Sequence, residues 1–151
     1  MKIFGKTLKE YIQPIWYYII GAVLVVILQY YVALFLVEKY GYSFVLNLTQ
    51  ALWALMVALS VVKLTVLYNF NFKNILFLGV LYSIIIHGLK AFVFRVFLFP
   101  YSDPTFGQYI LHLLNRFFYG SSLVMTIVII LGVLFIKLKN NPEVRRSAKR
   151  L

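Results

Sequence analysis

Four long apolar runs constrain the fold of this chain more than any other feature of its sequence. They cover roughly residues 12–37, 44–68, 74–98 and 107–136. At a rise of about 1.5 Å per residue, each run forms a helix long enough to cross a hydrocarbon core of about 30 Å. The sequence therefore predicts an all-α fold, an integral membrane four-helix bundle that occupies residues 1–151 as a single domain.

The composition agrees with this prediction and excludes several kinds of site. The chain is 63% hydrophobic and 13% charged, whereas soluble domains are about a quarter charged. It contains no cysteine, which excludes disulfides, thiolate metal ligands and cysteine nucleophiles. Two histidines leave little material for haem or zinc, so we expect no cofactor and no metal.

Basic residues predict the orientation of the spans. Eleven of the fifteen lie on the amino-terminal flank, in the second loop or in the tail 137–151. Because basic residues concentrate on the cytoplasmic side of membrane proteins, we expect a multi-pass protein of the cell membrane with both termini cytoplasmic. The first run is longer than the apolar region of a signal peptide and lacks a cleavage site, which indicates a retained span. Orientation also accounts for the net charge of +11, and we expect no nucleic-acid partner.

The carboxyl-terminal tail is predicted to contact the membrane surface. Pro142 should end any helix that enters the tail, and four basic residues follow it: Arg145, Arg146, Lys149 and Arg150. Each contributes about 1 kcal/mol near an anionic leaflet. The tail is interpreted as a stop-transfer anchor, with docking of a cytoplasmic partner as the alternative.

Polar residues within the apolar runs collect at one depth. If the helices alternate in direction, the following residues fall in the outer half of the bundle: Gln29, Asn47, Gln50, His87, Lys90, Gln108, His112, Asn115 and Arg116. In the third helix Ser83, His87 and Lys90 follow the spacing i, i+4, i+7 and share one face. A second stripe in the fourth helix comprises Gln108, His112, Asn115 or Arg116, and Tyr119. Both stripes should face protein or a wet cavity, because a polar stripe against lipid is costly.

Among these residues, Lys90 carries the charge that is most costly to place in a membrane. It lies about 12 Å from the outer end of its run and about 24 Å from the inner end, where a charge costs at least about 3 kcal/mol. The outer-side acids, Glu38 and Asp103, belong to loops. We therefore expect Lys90 to meet an anionic lipid headgroup, a soluble anion or an acidic residue of another subunit.

The other basic residues of this layer have simpler explanations as well. Arg95 is near enough to the outer end of its run for its side chain to reach the interface. Arg116 reaches it if residues 106–116 form a short interfacial helix and 117–136 alone make the span. The predicted contact residues for a lipid, ligand or partner are Lys90, Arg116, His87, His112, Arg95 and Asn115.

Catalytic motifs are sparse. Ser60 and Lys63 match the Ser-x-x-Lys spacing, but the companion motifs of that family are absent from the sequence. There is no His-Glu-x-x-His and no glycine-rich phosphate loop. The sequence therefore favours a non-catalytic protein and predicts no catalytic residues.

The stretch from "VVKLTVLYNFNFKN" through "KAFVFRVFLF" resembles two groups of membrane proteins. One comprises small phosphate-starvation-inducible four-helix proteins, and the other is the membrane sensor portion of some bacterial histidine kinases. The shared residues are mostly apolar. The second resemblance implies a sensor-type membrane domain.

These observations lead to one main functional hypothesis. The chain is predicted to be a small subunit or accessory of a membrane complex, or a homo-oligomer, whose outer polar layer contacts membrane lipids or an acidic partner. One alternative is a small oligomeric channel or transporter. A second is a sensor-type domain, and a third is an enzyme acting on a lipid or quinone with His87 or His112 as acid or base.

Overall fold

A computed structural model of the chain describes residues 2–31, 33–98 and 105–141. Its elements are β1 Lys2–Ile3, β2 Lys6–Thr7, α1 Leu8–Ile12, a 3-10 turn Gln13–Ile15, α2 Trp16–Tyr31, α3 Ala33–Tyr40, α4 Tyr42–Leu67, α5 Phe72–Tyr82, a π-helix Ser83–Phe94, α6 Arg95–Leu98 and α7 Phe106–Asn140.

Four helical segments are long and apolar enough to cross a membrane. They are span 1, Leu8–Tyr31; span 2, Tyr42–Leu67; span 3, Phe72–Phe94; and span 4, Phe106–Asn140. Their outer faces carry large apolar side chains such as Leu24, Leu55 and Ile130, which are at least half exposed. These features fit a polytopic membrane protein, as the sequence predicts.

Contacts between the spans show that consecutive helices run in opposite directions. The start of span 1 meets the end of span 2, where Lys63 donates a hydrogen bond to Tyr17. Spans 3 and 4 approach through two glycine contacts, Ile75 with Gly132 and His87 with Gly120. We call the end with Tyr31, Tyr42, Arg95 and Phe106 the cavity end, and the opposite end the hairpin end.

A short β-hairpin precedes span 1, a departure from the purely helical prediction. Strands β1 and β2 pair antiparallel, and Phe4 and Gly5 turn the chain between them with positive φ angles of 49° and 85°. Thr7 then caps α1: its side chain and that of Glu10 accept each other's backbone N–H groups in a capping box. Thr7 therefore both ends strand β2 and caps the helix that follows it.

Tyr11 fixes the hairpin to the bundle. Its hydroxyl lies 2.7 Å from Asn74 Oδ1 and 3.1 Å from the backbone oxygen of Ile3. The Tyr11 ring is fully buried and packs edge-on against Phe70 and Phe77. One buried side chain therefore joins the hairpin, span 1 and the start of span 3.

The apolar core lies between the hairpin end and mid-height. Val26, Val57, Ile86 and Val124 come from four different spans, and each has no exposed surface. The core also contains a polar pair, because Ser60 Oγ and the Tyr82 hydroxyl are 2.5 Å apart. Ser60 additionally donates to the carbonyl of Met56, so this pair is satisfied without a ligand.

The observed boundaries extend several predicted ones. Span 1 starts at Leu8 rather than near residue 12, because Thr7 caps it. Span 4 continues to Asn140, so the first residues of the predicted tail are helical. It also runs through Arg116 without a break, which leaves residues 106–116 continuous with the fourth span. The basic residues Arg145, Arg146, Lys149 and Arg150 lie outside the described residues.

Candidate functional site

A cavity of about 700 Å³ opens at the cavity end of the bundle. All four spans contribute to its wall, together with Val37 and Arg95. Its polar lining residues are Gln29, Tyr30, Tyr42, Gln50, Trp53, His87, Lys90, Arg95, His112, Asn115, Arg116 and Tyr119. Most of the polar residues that the sequence assigns to the outer half thus lie around one space.

The cavity wall is cationic. Lys90, Arg95 and Arg116 line it, and no aspartate or glutamate does so within the part of the chain that the structure describes. The described acids are Glu10, near the hairpin end, and Glu38, exposed in α3. Because these lining residues carry positive charge, the cavity attracts an anion more than a further cation.

Trp53 lies at the centre of the deeper wall. Its side chain is 2% exposed, and the Lys90 ammonium is 5.6 Å from its ring centroid, a cation–π contact. The His87 ring meets the same indole edge-on, with centroids 5.4 Å apart. Spans 2 and 3 therefore place an indole, an imidazole and an ammonium side by side.

Gly120 allows the close approach of span 4 to His87. A Cβ atom at this position would lie 2.0 Å from His87 Nδ1 and 2.2 Å from its Cε1. No side chain larger than hydrogen fits there unless the imidazole moves. The absence of a side chain at Gly120 thus sets both the separation of spans 3 and 4 and the position of the His87 ring.

The π-helical part of span 3 carries His87 and Lys90. Its hydrogen bonds join residues five apart, as between the Arg95 N–H and the Lys90 carbonyl. The same carbonyl accepts a 3.3 Å bond from the Tyr30 hydroxyl, and the Tyr30 ring stacks on Phe94 at 5.1 Å. Span 1 therefore supports the wider winding of span 3.

The rim of the cavity is exposed to the surroundings. Arg116 Nε donates a 2.9 Å hydrogen bond to His112 Nε2 one turn earlier in span 4. Tyr42 and Tyr119 are 66% and 71% exposed. Tyr119 lies thirteen residues into span 4, or about 20 Å along it, so the cavity reaches the side of the bundle as well as its end.

Unpaired buried polar atoms are concentrated at this cavity. Seven side-chain nitrogen or oxygen atoms are buried without a hydrogen-bond partner among the described residues. Four belong to cavity-lining residues: Gln29 Oε1, Trp53 Nε1, His87 Nε2 and Arg95 Nε. Because buried polar groups are normally paired, these four atoms are the part of the cavity wall whose hydrogen bonding is least complete within the described structure.

Each predicted contact residue can be located in the structure. The six residues Lys90, Arg116, His87, His112, Arg95 and Asn115 all line the cavity. Two predicted members of the polar layer, and Ser83 of the stripe in the third helix, do not. Asn47 and Gln108 are exposed away from it, and Ser83 is buried outside its lining. Ser83 begins the π-helix one turn before His87, and its burial means that it faces protein.

Sequence reasoning missed two aromatic contributors, Trp53 and Tyr30. A signal existed for Trp53, which follows the polar Gln50 by three residues and so shares its helix face. Tyr30 gave no comparable signal, since tyrosines at the ends of membrane helices usually mark the interface.

A second, smaller cavity of about 510 Å³ lies at the hairpin end. Lys63 there contacts Tyr17 through a hydrogen bond and over its ring, and Lys6 lies 4.7 Å from the Phe70 ring centroid. Lys63 therefore points away from Ser60, whose hydroxyl bonds Tyr82. The Ser-x-x-Lys spacing does not produce a serine–lysine pair.

Neither cavity presents a metal site in the described part of the chain, where no group of three or more histidine, cysteine or acidic residues could hold an ion. Comparison with known proteins identifies no relative: no family model, no curated protein and no solved structure matches this chain.

Proposed function

We propose that this protein is a non-catalytic, multi-pass membrane protein that binds an anionic lipid headgroup in its cationic cavity. One observation carries the proposal: Lys90, Arg95 and Arg116 line one cavity whose described lining contains no acid. Cations removed from water need a negative partner. A phosphate headgroup supplies that charge and is abundant wherever such a bundle would reside.

Access to the cavity favours a lipid over a soluble anion. The cavity extends along the side of span 4 to the exposed Tyr119, and the neighbouring outer faces are apolar. A lipid can therefore place its headgroup in the cavity while its acyl chains remain outside against the helices. A free anion would use only the polar part of this surface.

Charge distribution supports placing the cavity in the outer half of the membrane. The hairpin end carries seven lysines: Lys2, Lys6, Lys9, Lys63, Lys73, Lys137 and Lys139. By the positive-inside rule this end faces the cytoplasm, with both termini. The cavity then opens toward the outer leaflet.

A conducting pathway through one copy of the chain is disfavoured. Beneath the cavity, the fully buried Val26, Val57, Ile86 and Val124 belong to one apolar core. Passage of an ion would require this layer to separate. The role we propose is accordingly that of a small lipid-binding subunit or homo-oligomer rather than a single-chain channel.

The test measures binding of dioleoylphosphatidylglycerol and of dioleoylphosphatidylcholine to the purified protein in a neutral detergent. A Trp16→Phe background leaves Trp53, inside the cavity, as the tryptophan reporter. We expect saturable binding of the anionic lipid and weaker binding of the zwitterionic one. Lys90→Met should weaken anionic binding about 10- to 100-fold, because hydrogen bonds to charged groups contribute about 1.5–3 kcal/mol.

Lys63→Met is the matched control, since it removes a lysine at the opposite end of the bundle. Equal binding of both lipids, or equal losses in the two lysine variants, would contradict the proposal. An acidic partner subunit would then be the better candidate for the cavity cations.

A further inference from the structure

The cavity contains more hydrogen-bonding capacity than a phosphate can use. Gln29, Gln50 and Asn115 line it from spans 1, 2 and 4. Each amide offers an acceptor oxygen as well as donor hydrogens. Phosphate oxygens only accept hydrogen bonds, and the cations already supply donors. The three amide oxygens therefore indicate that the ligand also carries hydrogen-bond donors.

Gln29 makes this requirement specific. Its Oε1 atom is buried and has no hydrogen-bond partner in the described structure. A buried acceptor without a donor is unfavourable, and because Gln29 lines the cavity, a donor on the ligand would satisfy this oxygen once the amide turns toward it. Two common headgroup donors are an ammonium and a hydroxyl.

The surrounding charge distinguishes these two donors. A headgroup ammonium that reached Gln29 would share the cavity with Lys90, Arg95 and Arg116. No acidic side chain among the described lining residues would offset this repulsion. A hydroxyl donates to the same oxygen without adding positive charge.

We propose that the cavity selects a phosphodiester headgroup that bears a free hydroxylated alcohol, and discriminates against headgroups that carry an amine. This inference rests on the proposed function, because it names the chemical class of lipid for the same site. The cations bind the phosphodiester, and the amides, led by Gln29, bind the hydroxyl groups.

The decisive comparison uses lipids with identical dioleoyl chains. Phosphatidylglycerol and phosphatidylmethanol are both singly charged phosphodiesters, but only the first has free hydroxyls. We expect phosphatidylglycerol to bind about 3- to 10-fold more tightly, because one hydrogen bond contributes about 0.5–1.5 kcal/mol. Phosphatidylethanolamine, with its amine, should bind more weakly than either.

Gln29→Met tests the assigned residue with little change in side-chain volume. It should reduce phosphatidylglycerol binding to the level of phosphatidylmethanol and leave phosphatidylmethanol binding unchanged. Gln108→Met is the control, because Gln108 is exposed near the same end but does not line the cavity.

Two failures can be told apart. Equal binding of phosphatidylglycerol and phosphatidylmethanol, both above phosphatidylethanolamine, would overturn the hydroxyl inference while the anionic-lipid function stands. Binding of all three lipids with the same affinity would overturn the proposed function itself. A Gln29→Met variant that weakens both anionic lipids equally would also overturn the assignment of Gln29.

Discussion

The contact between Gly120 and His87 leads to a quantitative prediction about how spans 3 and 4 are held together. A methyl group at Gly120 would overlap three atoms of the imidazole, at 2.0, 2.2 and 2.5 Å. The ring is rigid and only 8% exposed, so it cannot yield by a small movement of a flexible end. We expect Gly120→Ala to lower the free energy of unfolding by about 1–3 kcal/mol, the usual effect of overpacking.

A double-mutant cycle tests whether His87 is the cause. In a His87→Ala background the clash is removed, and alanine should then be favoured over glycine in the helix by up to about 1 kcal/mol. Subtracting the two effects of Gly120→Ala gives a coupling energy of about 1–4 kcal/mol. Coupling of this size is expected only for residues in direct contact.

The assay is equilibrium unfolding in mixed micelles of a neutral detergent and SDS, followed by tryptophan fluorescence. Gly107→Ala is the control because a Cβ there meets nothing within 4 Å in the same helix. If Gly120→Ala destabilises the His87→Ala protein as much as the wild type, the close approach does not determine this interface. If Gly107→Ala also lowered the free energy of unfolding, alanine would destabilise helix 106–140 without any clash, and the effect at Gly120 could not be assigned to His87.

Three further predictions concern features away from the cavity. Ser60→Ala leaves the fully buried Tyr82 hydroxyl without its 2.5 Å partner and should lower the free energy of unfolding by about 1–3 kcal/mol. The double variant Ser60→Ala with Tyr82→Phe should lower the free energy of unfolding by less than the sum of the two single changes. Tyr11→Phe removes the bonds to Asn74 and Ile3, and hydrogen exchange in residues 2–7 should rise, whereas an unchanged rate would show that the hairpin does not depend on Tyr11. In the cysteine-free chain, Ser43→Cys should react with an impermeant maleimide added outside intact cells and Asn140→Cys should not; the reverse pattern would refute the proposed orientation.

The sequence was sufficient for the helices because each span depends on a long apolar run. Apolar periodicity and length alone identify such segments, and the observed spans differ from the predictions mainly at their caps. Thr7 and Thr105 accept the backbone N–H groups of Glu10 and Gln108 and so set two of the starts. Capping geometry changes a boundary by a few residues without changing which helix forms.

The winding of span 3 was not predictable in the same way. The residues from Ser83 to Phe94 are mostly apolar and helix-compatible, and a π-helix uses the same residues as an α-helix. Its support comes from Tyr30, sixty residues earlier, which bonds the Lys90 carbonyl. A tertiary contact of this kind is invisible to local spacing, so the sequence predicts ordinary α-helical winding here.

Trp53 illustrates the corresponding limit for the site. Charged and amide residues stand out in an apolar helix, so the cavity cations could be identified from sequence. A tryptophan does not stand out, because tryptophans occur both in protein cores and at membrane interfaces. The spacing from Gln50 places Trp53 on the polar face, but only the structure shows that its indole contacts both Lys90 and His87.

The cavity cations connect the proposed binding role to the stability of the protein. Without an anion, the Lys90 ammonium has no acidic partner among the described lining residues, and replacing Lys90 with an apolar residue removes the cost of desolvating its charge. We therefore expect Lys90→Met to raise the free energy of unfolding in neutral detergent. A ligand at one hundred times its dissociation constant adds about 2.7 kcal/mol to the folded state, so phosphatidylglycerol should stabilise the wild type much more than the variant.

Which of the two proteins, wild type or Lys90→Met, has the higher free energy of unfolding should then depend on the lipid concentration. Lys90→Met is expected to be the more stable protein in neutral detergent, and the wild type should gain on it as phosphatidylglycerol is added. Unfolding midpoints measured at several lipid concentrations give both quantities in one experiment. If the variant is less stable without lipid, the Lys90 ammonium is already satisfied by Trp53 and its surroundings, and an uncompensated charge at Lys90 is not what makes the cavity receptive to an anion.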